Sequence, residues 1–161
     1  MQHAKRSGAR SRFACCILHL AFPIVTGLTR SSRIRVRYAE TDQMGVVYYA
    51  NYFVWFEVGR TDWLRGAGWT YRQLEQDGVS LPVIEAHAEY RRAARYDDEL
   101  EIRSKATLLT PVRLRFDYEI WRADGEEPLA TGHTVHAAMD PNGRPCRLPQ
   151  AVRELLASMS E

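Results

Sequence analysis

Residues 51–65 constrain the fold more than any other stretch of the chain. At 3.6 residues per turn, Tyr52, Phe53, Val54, Trp55, Phe56, Val58, Trp63 and Leu64 cover most of the circumference of a helix. A helix apolar nearly all round must be buried on most sides. The 161 residues suit one domain with a real core, so that burial requires a sheet curled around the helix. Gly66 and Gly68 mark its end, because glycine adopts left-handed backbone geometry freely.

The remaining pattern supplies the sheet. Residues 33–38 alternate charged and apolar side chains, the period of a strand with one buried face. Four further strands are expected at 82–91, 99–109, 113–122 and 129–139, running as an antiparallel meander. A short helix is expected over 70–76, and Pro149 opens a last amphipathic helix with Val152, Leu155 and Leu156 on one face. One helix held by a curved antiparallel sheet is an α+β arrangement. Two such sheets side by side would protect their edges, which favours a dimer.

Charge narrows the partners. Residues 1–39 hold eight basic side chains and no acid; removing these from 22 Lys and Arg leaves 14 against 20 Asp and Glu over 40–161. A body with that balance repels a nucleic-acid backbone. Cys15, Cys16 and Cys146 show no metal or redox spacing, so free thiols in a reducing, cytoplasmic setting are expected. The apolar run 13–25 is too short and interrupted to span a bilayer. Residues 1–30 read as a disordered extension and 31–161 as the domain.

The densest chemistry lies between Tyr38 and Arg60. Asp42 sits in a loop just ahead of the apolar helix, whose first turn offers free N–H groups and a partial positive charge. Donors beside a carboxylate can polarise a carbonyl while the carboxylate attacks it or activates water. An Asp here could equally cap a turn.

The run Asp42-Gln-Met-Gly45-Val-Val-Tyr48-Tyr49-Ala-Asn51-Tyr52, with the later Tyr96-Asp97-Asp98-Glu99-Leu100, resembles the 4-hydroxybenzoyl-CoA thioesterase family, including Tol-Pal-associated acyl-CoA thioesterases. The resemblance spans about residues 33–157. It implies a hotdog fold, a homodimer or homotetramer, and hydrolysis of acyl-CoA without metal or bound cofactor. It also implies that Asp42 is the catalytic carboxylate and that the backbone N–H of Tyr49 is the carbonyl donor. Many bacterial members carry His where this chain has Tyr49; a backbone donor survives that exchange.

Other positions admit both a functional and a structural role. Glu57 is a second possible catalytic acid, with Arg60 three residues on as an ordinary ion-pair partner. Tyr48, Tyr52 and Trp55 could line an acyl pocket or simply be core. Coenzyme A requires cations for its phosphates; by position in the resembling family these are Thr110, Arg113, Arg144 and Arg147, with less signal at Arg91 and Arg92. His133 and His136 should point to opposite strand faces, which speaks against a shared metal. Two rivals stay open: an enoyl-thioester hydratase, and a module that binds acyl-CoA without cleaving it.

Overall fold

The alternation of residues 99–122 produces two long paired strands, β3 (Glu99–Thr110) and β4 (Arg113–Arg122). In this computed structural model, which describes residues 28–159, Leu100, Ile102, Ser104 and Ala106 of β3 face inward beside Leu114, Phe116, Tyr118 and Ile120 of β4. Ile102 stands opposite Ile120 and Ser104 opposite Tyr118. A third strand, β5 (Pro128–Ala137), continues the antiparallel run and sets Gly132 opposite Tyr118.

Two more strands occupy the edges. β1 (Thr29–Arg35) lies antiparallel to β3, and β2 (Val83–Tyr90) lies antiparallel to β5, giving the order β1-β3-β4-β5-β2. The expected four-strand meander is therefore corrected. Only β3, β4 and β5 are consecutive neighbours, and after β2 the chain crosses the sheet end through residues 91–98 before entering β3. Alternation marks a strand and its buried face but carries no information about which neighbour it takes. β1 also starts earlier than expected, since Ser31 and Ser32 break the apolar alternation while their backbones still pair with β3. Of the extension expected over 1–30, residues 1–27 lie outside the described residues.

Helix α1 (Asn51–Gly66) packs on the inner face of the sheet, and α2 (Tyr71–Gln76) and α3 (Gln150–Ser158) complete the chain. The buried residues of α1 are Tyr52, Trp55, Phe56, Gly59, Trp63 and Leu64, a single stripe. The expectation of burial on most sides is corrected: Val54 is half exposed and Glu57 is open to solvent. Phe56 stacks flat on Tyr118, centroids 4.4 Å apart, directly over Gly132. At Gly59 the helix approaches β3 so closely that an added Cβ would collide with Ser104 Oγ and Ile102 Cγ2. Pro149 is the N-cap of α3, so the helix begins at Gln150, one residue later than expected. No helix among the described residues is long and apolar enough to cross a membrane.

The Tyr96-Asp97-Asp98 segment at the end of the crossover has a physical role. Asp97 adopts φ 68°, a left-handed geometry that Asp tolerates better than most side chains. Asp98 Oδ2 accepts from the Arg95 backbone N–H at 2.8 Å and from Arg122 at 2.9 Å. Val36 and residues 97–98 exchange backbone hydrogen bonds, which locks the crossover to the end of β1.

Candidate active site

The loop before α1 is built on a buried acid. Glu40, in a single 3-10 turn (Tyr38–Glu40), is 6% exposed. Its carboxylate accepts from the Arg37 backbone N–H at 2.7 Å, the Arg37 guanidinium at 3.0 Å and the Trp55 indole at 3.2 Å. Burial pushes this carboxyl up, but the hydrogen bonds and charge of Arg37, with Trp55, outweigh it and hold it below the usual carboxylate range. The Glu40 carbonyl accepts from Tyr48 N–H at 2.9 Å and Asn51 Nδ2 at 2.8 Å. One residue thus joins the start of the loop to the head of the helix.

Within that clamp, Asp42 turns the chain. Its N–H donates to Val46 O, its carbonyl accepts from Gly45 N–H, and Gly45 has φ 73°. The side chain Oδ1 accepts from Met44 N–H at 2.8 Å, so Asp42 does cap its own turn. A carboxylate has about four acceptor sites, and one bond leaves most of them for a ligand. The capping reading and the chemical reading are therefore compatible.

Helix α1 begins without a capping side chain; Ala50 holds the N-cap position. The N–H groups of Asn51, Tyr52 and Phe53 donate to Tyr48, Tyr49 and Ala50 carbonyls in a tight first turn. Among the described residues, the N–H groups of Tyr49 and Ala50 donate to no backbone carbonyl. These are the unpaired donors that a helix start leaves over.

Asp42, Tyr49 and Tyr52 line one cavity of about 300 Å3, with Val46, Val47 and Tyr90. The crossover forms its other wall through Arg91, Arg92 and Ala93. Val47 N–H donates to Ala94 O at 2.9 Å, and Ala94 N–H donates to the Tyr52 hydroxyl at 3.2 Å. The Tyr90 hydroxyl donates to Tyr49 O at 3.1 Å, and its ring meets Tyr52 edge-on at 5.0 Å. Burial raises the phenol pKa of both Tyr52 and Tyr90, keeping them as neutral hydrogen-bonding walls.

The other expected site residues stand elsewhere in the chain. Tyr48 is half exposed with its ring on that of Tyr49, 4.5 Å away, and does not line this cavity. Trp55 is core, turned to Glu40. Glu57 is exposed and lies 3.8 Å from Arg60. Thr110 and Arg113 flank the β3–β4 turn, and the Arg144 and Arg147 segment runs beside it, with Leu148 N–H donating to Pro111 O. Residue 113 aligns with the Val83 end of β2, so this cluster lies at the opposite end of the strands from Tyr90 and the cavity.

Glu40 and Tyr90 were not singled out by the sequence. Glu40 lies in a polar turn, and its partner Trp55 is 15 positions away; nothing local marks its burial. The histidines separate as expected. His136 is buried; its Nδ1 donates to Leu81 O, so its Nε2 accepts from Arg60 and Thr134. His133 faces outward, meeting Glu85 at 2.8 Å and stacking on His87.

Over residues 36–156 the chain matches the thioesterase-like superfamily. It belongs to that superfamily. The match places the chain among thioester-hydrolysing enzymes, and its sheet and helices share the hotdog fold of its structural neighbours. The acyl-CoA thioester hydrolase YbgC of Escherichia coli is 32% identical over 120 residues, 74% of this chain and 89% of that protein. A crystal structure of TT1821 from Thermus thermophilus aligns at TM-score 0.75 with 36% identity, over 82% of this chain and 98% of that one. The DHNA-CoA thioesterase of Staphylococcus aureus aligns at TM-score 0.74 with 30% identity, over 82% and 89%.

Proposed function

We propose that this chain hydrolyses an acyl-CoA to the free carboxylic acid and CoA in the Asp42 cavity, within the 4-hydroxybenzoyl-CoA branch of its superfamily. One observation carries the reading: Asp42 and Tyr49, whose N–H has no backbone acceptor among the described residues, line the same cavity. The thioester carbonyl oxygen would accept from that N–H, which stabilises the negative charge that develops on it. Asp42 would attack the carbonyl carbon or take a proton from an attacking water. In either route the C–S bond breaks, the sulfur leaves as CoA thiolate and takes up a proton, and one water is consumed per turnover. Neither route calls for a metal or bound cofactor.

The same proposal includes a homodimer, extended or not to a tetramer, and a cytoplasmic setting. β2 is an edge strand exposed along both faces, with Val83 and Ile84 about half exposed. Unpaired edges of that kind are completed by a second strand. Antiparallel pairing of two β2 strands about a twofold axis would lay the Val83 end of one copy against the Tyr90 end of the other. The Thr110, Arg113, Arg144 and Arg147 end of a second copy would then approach the Asp42 cavity, where its cations could hold the phosphates of CoA. The sheet would wrap α1 as its central helix, and the open face of α1 around Val54 would be covered by the second copy.

Thiol release from a panel of aliphatic and aromatic acyl-CoAs tests the reading. Stoichiometric release of CoA and acid supports it. Binding without release would make the chain a non-catalytic module, and conversion of enoyl-CoA to its hydrate without thiol release would make it a hydratase.

A further inference from the structure

We infer that Arg91 and Arg92 receive a carboxylate at the far end of the acyl group, so that the substrate is the CoA monothioester of a dicarboxylic acid; this rests on the hydrolase reading above. The N–H groups of Arg91 and Arg92 both donate to the single carbonyl of Leu129, at 2.9 and 3.0 Å. Two successive donors on one acceptor make a β-bulge, which re-aims side chains and is common beside active sites. Here it ends β2, and both arginines line the cavity that holds Asp42.

Their charge is available. Arg91 lies 3.7 Å from Glu89, and Arg92 pairs with Glu127, but all four side chains are more than half exposed. Open ion pairs of this kind contribute little and exchange readily. A guanidinium offers a planar fork matched to a carboxylate, and a pair of them can hold one firmly. The rest of the lining, Val46, Val47, Tyr52 and Tyr90, suits a short hydrocarbon segment between the two charged groups.

Phosphate is the competing source of negative charge. The pantetheine arm separates thioester from phosphate by several residues' worth of extended chain, at about 3.3–3.6 Å each. Cations that share a cavity of about 300 Å3 with Asp42 stand closer to the thioester than that arm would place a phosphate. A cation in its wall therefore meets the acyl portion first.

The test compares adipoyl-CoA with hexanoyl-CoA, which differ by the terminal carboxylate, and repeats the pair as pantetheine thioesters, which lack the nucleotide phosphates. The full-length protein should favour adipoyl over hexanoyl by about ten- to a hundredfold in kcat/KM with either carrier, the scale of charge-assisted hydrogen bonds. The double variant Arg91→Gln, Arg92→Gln should erase that preference, read as the adipoyl-to-hexanoyl ratio of kcat/KM, and Arg91→Lys, Arg92→Lys should restore part of it. Equal loss on both CoA thioesters with no loss on the pantetheine pair would assign the arginines to phosphate and overturn the inference. No preference in the unaltered protein would also overturn it. Calorimetric binding of the two CoA thioesters separates the inference from the reading beneath it. Tighter adipoyl binding that the double variant loses, with no thiol released, would sink the hydrolase and leave the arginine assignment standing.

Discussion

Glu40 accepts the indole N–H of Trp55 at 3.2 Å across 15 residues of chain, and this bond ties the loop bearing Asp42 to the second turn of α1. The same carboxylate holds the Arg37 backbone, and the same residue's carbonyl holds Tyr48 and Asn51. Asp42 and the Tyr49 N–H are thus set by one buried residue that touches neither.

Glu40→Gln should lower kcat more than it raises KM, because an amide nitrogen would face the Arg37 N–H donor and unseat the loop. Steady-state kinetics beside a thermal melt would show this, and Glu40→Asp should not recover full activity, since a shorter side chain cannot reach all three donors. The pH sign follows from the depressed carboxyl. A group held below its ordinary value of 4.5 adds stability that is fully present above that value and is lost as pH falls through the folded-state pKa. The melting temperature of Glu40→Gln should therefore fall less steeply than that of the parent protein below about pH 4.5.

His136 gives a second acid window. Burial, aided by the nearby Arg60 cation, lowers its pKa from 6.5 to about 4, against the opposing hydrogen bond to Leu81 O. Tyr118, Thr134 and Arg60 are the polar groups of its network, and none of them is a carboxylate. The folded state then binds fewer protons than the unfolded state between those values, so stability is complete above pH 6.5 and declines toward pH 4. The decline is on the order of 3 kcal/mol at most. Chemical denaturation at pH 7, 5.5 and 4.5 should show it, and His136→Asn should flatten that slope while lowering stability at pH 7.

Gly59→Ala should destabilise the fold by about 1–3 kcal/mol, the range for overpacking. Alanine normally strengthens a helix by up to about 1 kcal/mol relative to glycine. Here steric contact decides the sign: Ser104 Oγ can rotate away from the new methyl, but Ile102 is fully buried on β3 and cannot. Urea denaturation of the two proteins measures the difference.

The proposed dimer predicts that a charge on the β2 edge weakens assembly. Ile84→Lys should shift the protein toward monomer in analytical ultracentrifugation and reduce thioesterase activity with it.

Much of this architecture was legible in the sequence because it rests on period. The two-residue alternation of 99–109 and 113–122 gave β3 and β4 with their inward faces, and the apolar density of 51–65 gave α1 nearly to the residue. The order of the strands was not legible. The jump of β2 to the far edge depends on the crossover 91–98, which has no periodicity and is fixed by bonds such as Val47 N–H to Ala94 O. Asp42 stood out as a loop carboxylate ahead of the apolar helix and Tyr49 through the family resemblance, and the fold brings both into one cavity. Glu40 and Tyr90 carry no local signal, because each depends on a partner distant in sequence; Arg91 and Arg92 were expected only as weak holders of the CoA phosphates, since the bulge that places them depends on Leu129. Trp55 shows the converse: an aromatic on the right helix whose indole turns into the core.

Whether the Asp42 carboxylate carries the chemistry is decided by single-turnover and steady-state thiol release from Asp42→Asn. Asparagine keeps the turn, because its carbonyl can still accept from Met44 N–H, but cannot attack a thioester or take a proton from water. The variant's kcat should fall by about 10²–10⁴ with little change in acyl-CoA binding, whereas Glu57→Gln should keep a near-normal kcat. Full turnover by Asp42→Asn, or its loss only in Glu57→Gln, would contradict a catalytic Asp42.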